Sequence, residues 1–361
     1  MKGSPSRPHH TQSYGHPRIQ NSETGGSLIR SIPGVLALFS FAYVLLIAWH
    51  FSQVVLGEQP EGSLGLLWEL TLYFFLPAPF LLLVALLFRA RTALFLALVP
   101  VALFAVLYGE RFLPRSQPVA SGPTFRVMTF NAGAGPAGGE ARAVFAAVQE
   151  SQPDVVAIQE VQGPALQALR STLAERYPYQ AATSDVATFS AYPLADPSEF
   201  RLKDSGYRSQ AVDVLVADRV VRLTNVHLQR TGPRLGGRRS IVAFVRGYEP
   251  GLLEGQVTEL LERHVRPVNG AQLLTGDFNQ TEWSRPYGML ADVFGDSFRE
   301  AGRGFGHTFP GAIEVRGREV ALPLVRIDYI FHSPDLVALG ARVGPDVGSD
   351  HVPVFADLAF R

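Results

Sequence analysis

The sequence predicts an α/β domain that follows a helical membrane region. Two observations lead to this fold class. Long apolar runs with almost no charge fill residues 32–109, and a helix needs about 20 such residues to span a bilayer. After residue 122, short β-rich runs alternate with segments of helical spacing, which is typical of an α/β layer. The 361 residues are sufficient for both units.

Composition excludes several classes of function. The chain has no cysteine, so it forms no disulfide, thiolate nucleophile or Cys-ligated metal site. Lys+Arg and Asp+Glu both number 32, but eight of the basic and only five of the acidic residues lie in the first 120 positions. The remainder is therefore mildly acidic. Because affinity for a nucleic-acid backbone depends mostly on cationic contacts, generic nucleic-acid binding is not expected.

Three apolar runs follow the first 31 residues. Residues 1–31 are rich in Ser, Gly, Pro and His and are predicted to form a disordered tail. Residues 32–109 are predicted to hold three transmembrane helices, formed by the runs Ile32–Gly57, Gly65–Phe88 and Thr92–Gly109. Buried helices of a soluble protein are the alternative. Three such runs with only short polar breaks would, however, leave no polar face for water.

The distribution of charge predicts the orientation of these helices. Basic residues occur in the tail and in the break that holds Arg89 and Arg91, whereas the break "EQPEGSL" has only acids. Cytoplasmic loops carry the excess of Lys and Arg, so the tail and the Arg89 break are expected in the cytoplasm. The chain would then be a multi-pass protein of the cell membrane, with everything after Gly109 outside the cytoplasm. Arg111 and Arg115 go against this rule.

Polar residues recur at or near the ends of the predicted strands in the second unit. Residues 110–122 are interpreted as a linker and 123–361 as the α/β domain. Strand ends gather sites because loops present polar groups while the sheet holds them rigid. Taken singly, most of these residues have a simpler interpretation as a turn, a solvated loop residue or a satisfied core histidine. The residues in question are Asn131, Glu160, His227, Asp277, Asn279, Asp328, Asp350 and His351.

Six short segments give these residues a common context. They occur in this order between Phe125 and Leu358: "TFNAG", "IQEV", "NVHL", "GDFN", "RIDYIF" and "GSDHVPV". In these segments the sequence resembles the endonuclease/exonuclease/phosphatase superfamily, which includes DNase I-like nucleases, inositol-phosphate 5-phosphatases and neutral sphingomyelinases. The resemblance implies a four-layer α/β/β/α sandwich, in which helices flank two β-sheets. It also implies metal-dependent hydrolysis of phosphoesters.

The resemblance implies a metal site. Glu160 would be the main ligand, with Asn131 beside it and Asp350 in a position to complete the site. Mg²⁺ is the expected ion because it prefers oxygen ligands, and Mn²⁺ is the alternative.

The resemblance also implies roles for five catalytic residues. Asp277 would orient or deprotonate the attacking water, and Asn279 would hold Asp277 or the phosphate. His351 would contact the phosphate, with its tautomer fixed by Asp328, and His227 would supply a second phosphate contact. Whether Asp277 or His351 is the base stays open.

Several functions are compatible with this pattern. The leading hypothesis is a membrane-anchored phosphoesterase, and its substrate would be a lipid headgroup, a nucleotide or a nucleic acid. A non-catalytic membrane sensor or scaffold that binds a phosphorylated ligand is the alternative. A transporter is disfavoured, because Glu69 is the only Asp, Glu, Lys or Arg within the apolar runs. The arginine-rich loop Arg230–Arg239 and the segment Gly306–Pro310 are further candidates for contact with the substrate.

Overall fold

The first part of the chain is a bundle of apolar helices. The computed structural model describes residues 24–57, 59–115, 118, 120, 122–133, 139–230, 248–315, 318–321 and 323–361. The helices of this part are α1 (Thr24–Leu56), α2 (Gly62–Glu69), α3 (Pro77–Leu87) and α4 (Arg91–Tyr108), with 3₁₀ segments at Thr71–Phe75 and Gly109–Phe112. The first span was predicted to begin at Ile32, but helix α1 begins earlier, at Thr24. The rest of the predicted tail, residues 1–23, lies outside the described residues.

Two of these helices are long and apolar enough to cross a membrane, at Ser31–Leu56 and Arg91–Phe112. The predicted second span is not a straight helix, since α2 meets the segment Thr71–Leu87 at 75°. The bend falls at Leu70, between α2 and the 3₁₀ segment. Pro77, which has no N–H to donate to the preceding turn, lies further on, at the first position of α3, which tolerates proline. The described chain therefore has two such helices, or three if the bent pair is one span.

The apolar side chains of these helices face outward. Among the described residues, all but five of the exposed large hydrophobic side chains lie between Val35 and Leu113. Phe95 is 71% exposed and Val106 is 79% exposed. Soluble proteins rarely expose a continuous apolar surface of this kind, and such surfaces mark contact with a membrane or with another protein.

The second part of the chain contains two six-stranded sheets. The first sheet has the order β13-β14-β1-β2-β4-β3, with β1 Thr124–Asn131, β2 Val155–Gln159, β3 Tyr179–Ala182, β4 Val186–Ser190, β13 Leu336–Val343 and β14 Val354–Phe360. The second has the order β5-β6-β7-β8-β12-β9, with β5 Leu194–Phe200, β6 Ser209–Val216, β7 Arg219–His227, β8 Ala271–Asp277, β9 Gly295–Asp296 and β12 Asp328–His332. A separate hairpin joins β10 (Ala312–Val315) to β11 (Arg318–Ala321).

Helices cover the outer face of each sheet. Those beside the first sheet are α5 (Glu140–Ser151) and α6 (Gly163–Thr172); those beside the second are α7 (Pro250–Leu260) and α8 (Arg285–Ala291), with a π-helical turn at Leu261–Val265. A short α9 (Ser297–Ala301) contacts the edges of both sheets, at β13 of the first and at β12 and β9 of the second. Between the two sheets lies an apolar layer in which Val127 and Val155 pack with Leu223 and Leu273. Further apolar layers join α5 and α6 to the first sheet and α7 and α8 to the second. The four-layer α/β/β/α sandwich is thus confirmed.

Strand register brings three of the polar strand ends into one row. β7 and β8 are parallel, with His227 beside Asp277. β12 runs antiparallel to β8, with Asp328 beside Asp277. In the first sheet β1 and β2 are also parallel, with Asn131 beside Gln159. In each sheet the carboxyl ends of the parallel strands meet at one edge, so the polar residues that end these strands lie along that edge.

Candidate active site

Asp277 lies at the centre of the polar cluster and is fully buried. Its Oδ2 accepts a hydrogen bond from Asn131 Nδ2 at 3.0 Å. Its Oδ1 accepts one from the backbone N–H of Asn279 at 2.9 Å, which is the local bond of an Asx turn. Burial, supported by the charge of Asp328 and opposed by that of His351, raises the pKa of Asp277 to about 7. A carboxyl group with such a pKa can accept a proton near neutral pH.

The backbone around Asp277 has two special positions. Gly276 has φ +144°, and a Cβ there would lie 1.9 Å from the carbonyl oxygen of Val226. A side chain at this position would therefore separate β8 from β7. Asn279 has φ +52°, a left-handed conformation in which Asn is enriched. Its Nδ2 donates to the carbonyl of Leu228 at 2.9 Å, which fixes the turn to the end of β7.

His351 and Asp328 form a buried pair beside Asp277. The two side chains are joined between Nδ1 and Oδ2 at 2.9 Å. Burial alone would lower the pKa of His351, but the carboxylates of Asp328 and Asp277 raise it to about 10. Its Nε2 lies 3.8 Å from Asp277 Oδ2 and has no hydrogen-bond partner among the described residues. At neutral pH the ring is thus a cation with one N–H free to donate.

Glu160 and Asn131 come together at the ends of β2 and β1. Asn131 Nδ2 donates to Glu160 Oε1 at 3.2 Å, in addition to its bond with Asp277. A Cβ at Gly133 would lie 1.9 Å from Glu160 Oε2, so only glycine leaves room for the carboxylate. The hydroxyl of Ser349 donates to the carbonyls of Asn131 and Gly133 at 2.9 and 2.8 Å. This contact holds the loop that carries Asp350 and His351 against β1.

His227 is not the satisfied core histidine of the simpler interpretation. It is buried, and its Nδ1 has no hydrogen-bond partner in the described chain. Its Nε2 lies 3.6 Å from both Glu160 Oε1 and Asp277 Oδ2. The ring of Tyr207 stacks on the His227 ring, with ring centroids 3.7 Å apart. Burial, with the nearby charges of His351 and Arg230, lowers the pKa of His227 to about 3, so the ring is neutral at physiological pH.

The oxygen donors at this edge fit a hard divalent cation. Asp350 is partly buried, and its Oδ1 lies 3.9 Å from His351 Nε2. Glu160 and Asp350 supply carboxylate oxygens, which suit Mg²⁺ or Mn²⁺. The amide of Asn131 faces Glu160 and Asp277 through Nδ2, while its Oδ1 accepts the backbone N–H of Gly133 at 3.0 Å. A second group, Asp277, Asp328 and His351, also has ligand atoms within 4.8 Å of one another. Two of those atoms already bond to each other in the His351–Asp328 pair.

Several residues that support the site were given no role from the sequence. Gln159 Nε2 donates to Asn225 Oδ1 at 2.7 Å and so links the first sheet to the second directly below the site. Thr308 Oγ1 accepts the backbone N–H of Asp328 at 3.3 Å. Phe309 packs on His351 with ring centroids 4.9 Å apart. The last two belong to the segment Gly306–Pro310, which does line the site, whereas residues 231–239 of the arginine-rich loop lie outside the described residues.

Comparison with known proteins agrees with this architecture. Residues 128–351 match the Endonuclease/Exonuclease/phosphatase family. No curated protein matches the sequence. Among solved structures, an endonuclease/exonuclease/phosphatase from Bacteroides vulgatus shares 19% identity with a TM-score of 0.52, covering 66% of this chain and 100% of that one. A family protein from Bacteroides thetaiotaomicron shares 17% identity with a TM-score of 0.50, covering 67% and 97%.

Identities this low establish a common fold and nothing finer. The family match, however, spans more than half of the chain and ends on His351. The resemblance found in the six short segments is thereby confirmed, and the chain belongs to the endonuclease/exonuclease/phosphatase family.

Proposed function

We propose that the chain is a membrane-anchored, divalent-metal-dependent phosphoesterase that hydrolyses a phosphomonoester or phosphodiester by in-line attack of water. One observation carries the proposal: His227, Asp277 and the His351–Asp328 pair stand side by side, buried, at the edge of the second sheet. The row combines a neutral imidazole, a carboxyl group that titrates near neutrality and an imidazolium. Hydrolysis of a phosphoester needs a proton acceptor for water and donors for the phosphate oxygens.

The proposed metal ligands are the oxygen donors that lie beside this row. Glu160, Asn131 and Asp350 would hold Mg²⁺ or Mn²⁺. A bound divalent ion would stabilise the charge that develops on the phosphate oxygens and the leaving oxygen.

The remaining residues handle the water and the phosphate. Asp277 accepts the proton of the attacking water, and the N–H of Asn279 keeps its carboxylate oriented. His351 is already protonated, so it donates from Nε2 to a phosphate oxygen, and Asp328 holds its Nδ1–H. His227 is neutral and donates one N–H to a second phosphate oxygen. The charge states therefore favour Asp277 over His351 as the base.

The anchoring part of the proposal rests on the exposed apolar helices. Spans between residues 31 and 112 would hold the sandwich at the membrane. Three spans, with the tail and the arginine-containing break at Arg89 and Arg91 in the cytoplasm, would place the sandwich outside the cytoplasm. Anchoring and mild acidity favour a lipid headgroup or a small phosphoester such as a nucleotide over nucleic acid as the substrate.

The full-length protein in detergent tests the chemistry. Bis(p-nitrophenyl) phosphate and p-nitrophenyl phosphate would be supplied with Mg²⁺, with Mn²⁺ or with a chelator, beside the Asp277→Asn variant. Metal-dependent release of nitrophenolate that the variant lacks is the expected result. A folded protein with no turnover on either ester and with either metal would refute the proposal.

Two further measurements refine it. A panel of phospholipids, nucleotides, single-stranded DNA and double-stranded DNA would identify the class of substrate. Binding of a phosphorylated ligand that survives both Glu160→Ala and Asp277→Ala, without turnover in the parent, would instead indicate the sensor or scaffold.

A further inference from the structure

The membrane region contacts the sandwich at the loop that directly follows Asp277 and Asn279. This loop, Gln280–Trp283, is called the docking loop below. The backbone N–H of Thr281 donates to Glu69 Oε2 at 2.6 Å, and its hydroxyl donates to the Glu69 carbonyl at 3.3 Å. The ring of Trp283 packs edge-on against Phe51 of α1 at 5.8 Å and Tyr108 of α4 at 6.1 Å.

Glu69 is enclosed by the groups it binds. It lies at the end of α2, at the break in the bent helix pair, and is buried. Besides Thr281, its carboxylate accepts hydrogen bonds from the hydroxyl of Tyr248 and from Gln59 Nε2, the latter at 3.0 Å. A buried carboxylate requires such partners, and two of the three come from the sandwich. The carboxylate of the apolar runs is therefore engaged in a contact between the two parts of the chain.

Arg111 makes the second contact, just beyond α4. Its Nη1 pairs with Glu282 Oε1 of the docking loop at 2.6 Å, and both side chains are largely buried. The guanidinium lies 4.5 Å from the centre of the Tyr108 ring. Glu282 Oε2 in turn pairs with Arg326 Nη2 at 3.0 Å. Arg326 precedes Asp328 by two residues, so Arg111 is connected to both strands that carry the catalytic carboxylates.

The docking loop is thus held from two sides. On the inner side, the hydroxyl of Tyr329 in β12 donates to the carbonyls of Gln280 and Arg326, at 3.0 and 2.7 Å. On the outer side, Glu69 and Arg111 are its partners. Loops without such contacts belong to the less stable parts of a fold, and a displacement of about 1 Å at a reacting group can lower a rate about a hundredfold.

We propose that Glu69 and Arg111 are positioning residues through which the membrane region fixes the docking loop, and with it Asp277 and Asn279. This inference rests on the proposed phosphoesterase activity. It also accounts for Arg111 and Arg115, which oppose the charge rule for membrane proteins. Arg111 pairs with Glu282, and Arg115 Nη1 donates to the carbonyl of Gly302 at 2.8 Å. Both arginines bind the sandwich.

The test compares three variants of the full-length protein in detergent. Glu69→Ala removes every side-chain acceptor for Thr281 and Tyr248. Glu69→Gln keeps one oxygen that can accept the Thr281 N–H. Thr71→Val is the matched control, since it removes the two bonds of the Thr71 hydroxyl inside the membrane region, with His50 and with the carbonyl of Trp68, and leaves the Glu69 carboxylate in place. The kcat and KM for bis(p-nitrophenyl) phosphate are measured with Mn²⁺.

A second readout reports docking without turnover. The chain has three tryptophans, so incorporation of 5-fluorotryptophan gives three ¹⁹F resonances, and a Trp283→Phe sample assigns that of Trp283. We expect Glu69→Ala to shift this resonance and to lower kcat between about ten- and a hundredfold. Glu69→Gln should recover part of the loss, and Thr71→Val should change neither quantity.

Three outcomes would overturn the inference. One is a wild-type kcat in Glu69→Ala despite a shifted Trp283 resonance. Another is an equal loss of kcat in Thr71→Val, which would indicate general disruption of the helices. The third is an unchanged Trp283 resonance in Glu69→Ala, which would show that Glu69 does not hold the loop. Absence of turnover in the wild type refutes the proposed function instead, and the ¹⁹F shift then still decides whether Glu69 docks the loop.

Discussion

Replacing Gly133 by alanine tests the metal site with the smallest possible change. The added Cβ would lie 1.9 Å from Glu160 Oε2, 2.6 Å from Cδ and 2.9 Å from Cβ. Ordinary contact begins at 3.4 Å, so the carboxylate oxygen must move by about 1.5 Å. Rotation of the Glu160 side chain cannot relieve the contact at its own Cβ. The backbone after β2 must therefore move as well, and overpacking of this kind costs about 1–3 kcal/mol.

The effect on metal binding should exceed the effect on stability. Metal–ligand distances tolerate only about 0.2 Å, so a shift of 1.5 Å removes Glu160 from the coordination sphere. Loss of one orienting contact to a ligand already lowers metal affinity about 10- to 100-fold. We expect the dissociation constant for Mn²⁺, measured by isothermal titration calorimetry, to rise at least that much. The Mn²⁺ concentration that half-activates hydrolysis should rise in parallel.

Gly255→Ala is the matched control, because a Cβ at that position in α7 meets no atom within 4 Å. It should bind Mn²⁺ like the wild type. If Gly133→Ala also binds Mn²⁺ with wild-type affinity while its thermal unfolding is near normal, Glu160 is not the main ligand and the metal site must be sought around Asp277 and His351.

Three further predictions concern the neighbouring residues. Asp277→Asn should lower kcat by about 10²–10⁴ while calorimetry shows Mn²⁺ affinity near wild type; loss of Mn²⁺ binding would contradict its assignment to water activation. Burial alone would raise the pKa of Glu282, but Arg326 and other arginines lower it below its ordinary value of 4.5. Its stabilising effect is thus present above pH 4.5 and is lost as pH falls through the lowered pKa. Thermal unfolding measured at several pH values should show a smaller loss of stability at acid pH in Glu282→Gln than in the wild type. Equal losses of stability would count against the pairing of Glu282 with the arginines. Thr308→Val leaves the N–H of Asp328 unpaired and should lower the free energy of unfolding by about 1–3 kcal/mol in denaturant titrations; no change would mean another acceptor takes over.

Local pattern predicted much of the sandwich. The segment Glu140–Ser151 has the apolar spacing of a helix and forms α5, and the β-rich runs on either side of Asp218 form the hairpin of β6 and β7. Ala217 and Asp218 both have positive φ, as a tight hairpin turn requires. The polar strand ends could be recognised because an acid or amide at the end of an otherwise apolar, buried strand interrupts the apolar pattern.

Contacts between distant segments could not be predicted in the same way. The bond between Gln159 and Asn225 depends on how one sheet packs on the other, and no short pattern encodes that packing. The bend at Leu70 was missed because apolar length alone does not distinguish a straight span from two short helices. Arg111 was placed in a linker, since its partner Glu282 lies far along the chain.

The bond between Glu69 and Thr281 also has a consequence for linkage. A coupling free energy between two sites is reciprocal. If the docked helices order the docking loop and so favour binding of a phosphate beside Asn279, the bound phosphate must favour docking of the helices by the same free energy. Bilayer thickness, to which spanning helices adapt in part by tilting, would then act as an effector of hydrolysis. The lipid surroundings would tune the enzyme mechanically, with no regulatory ligand and no second binding site.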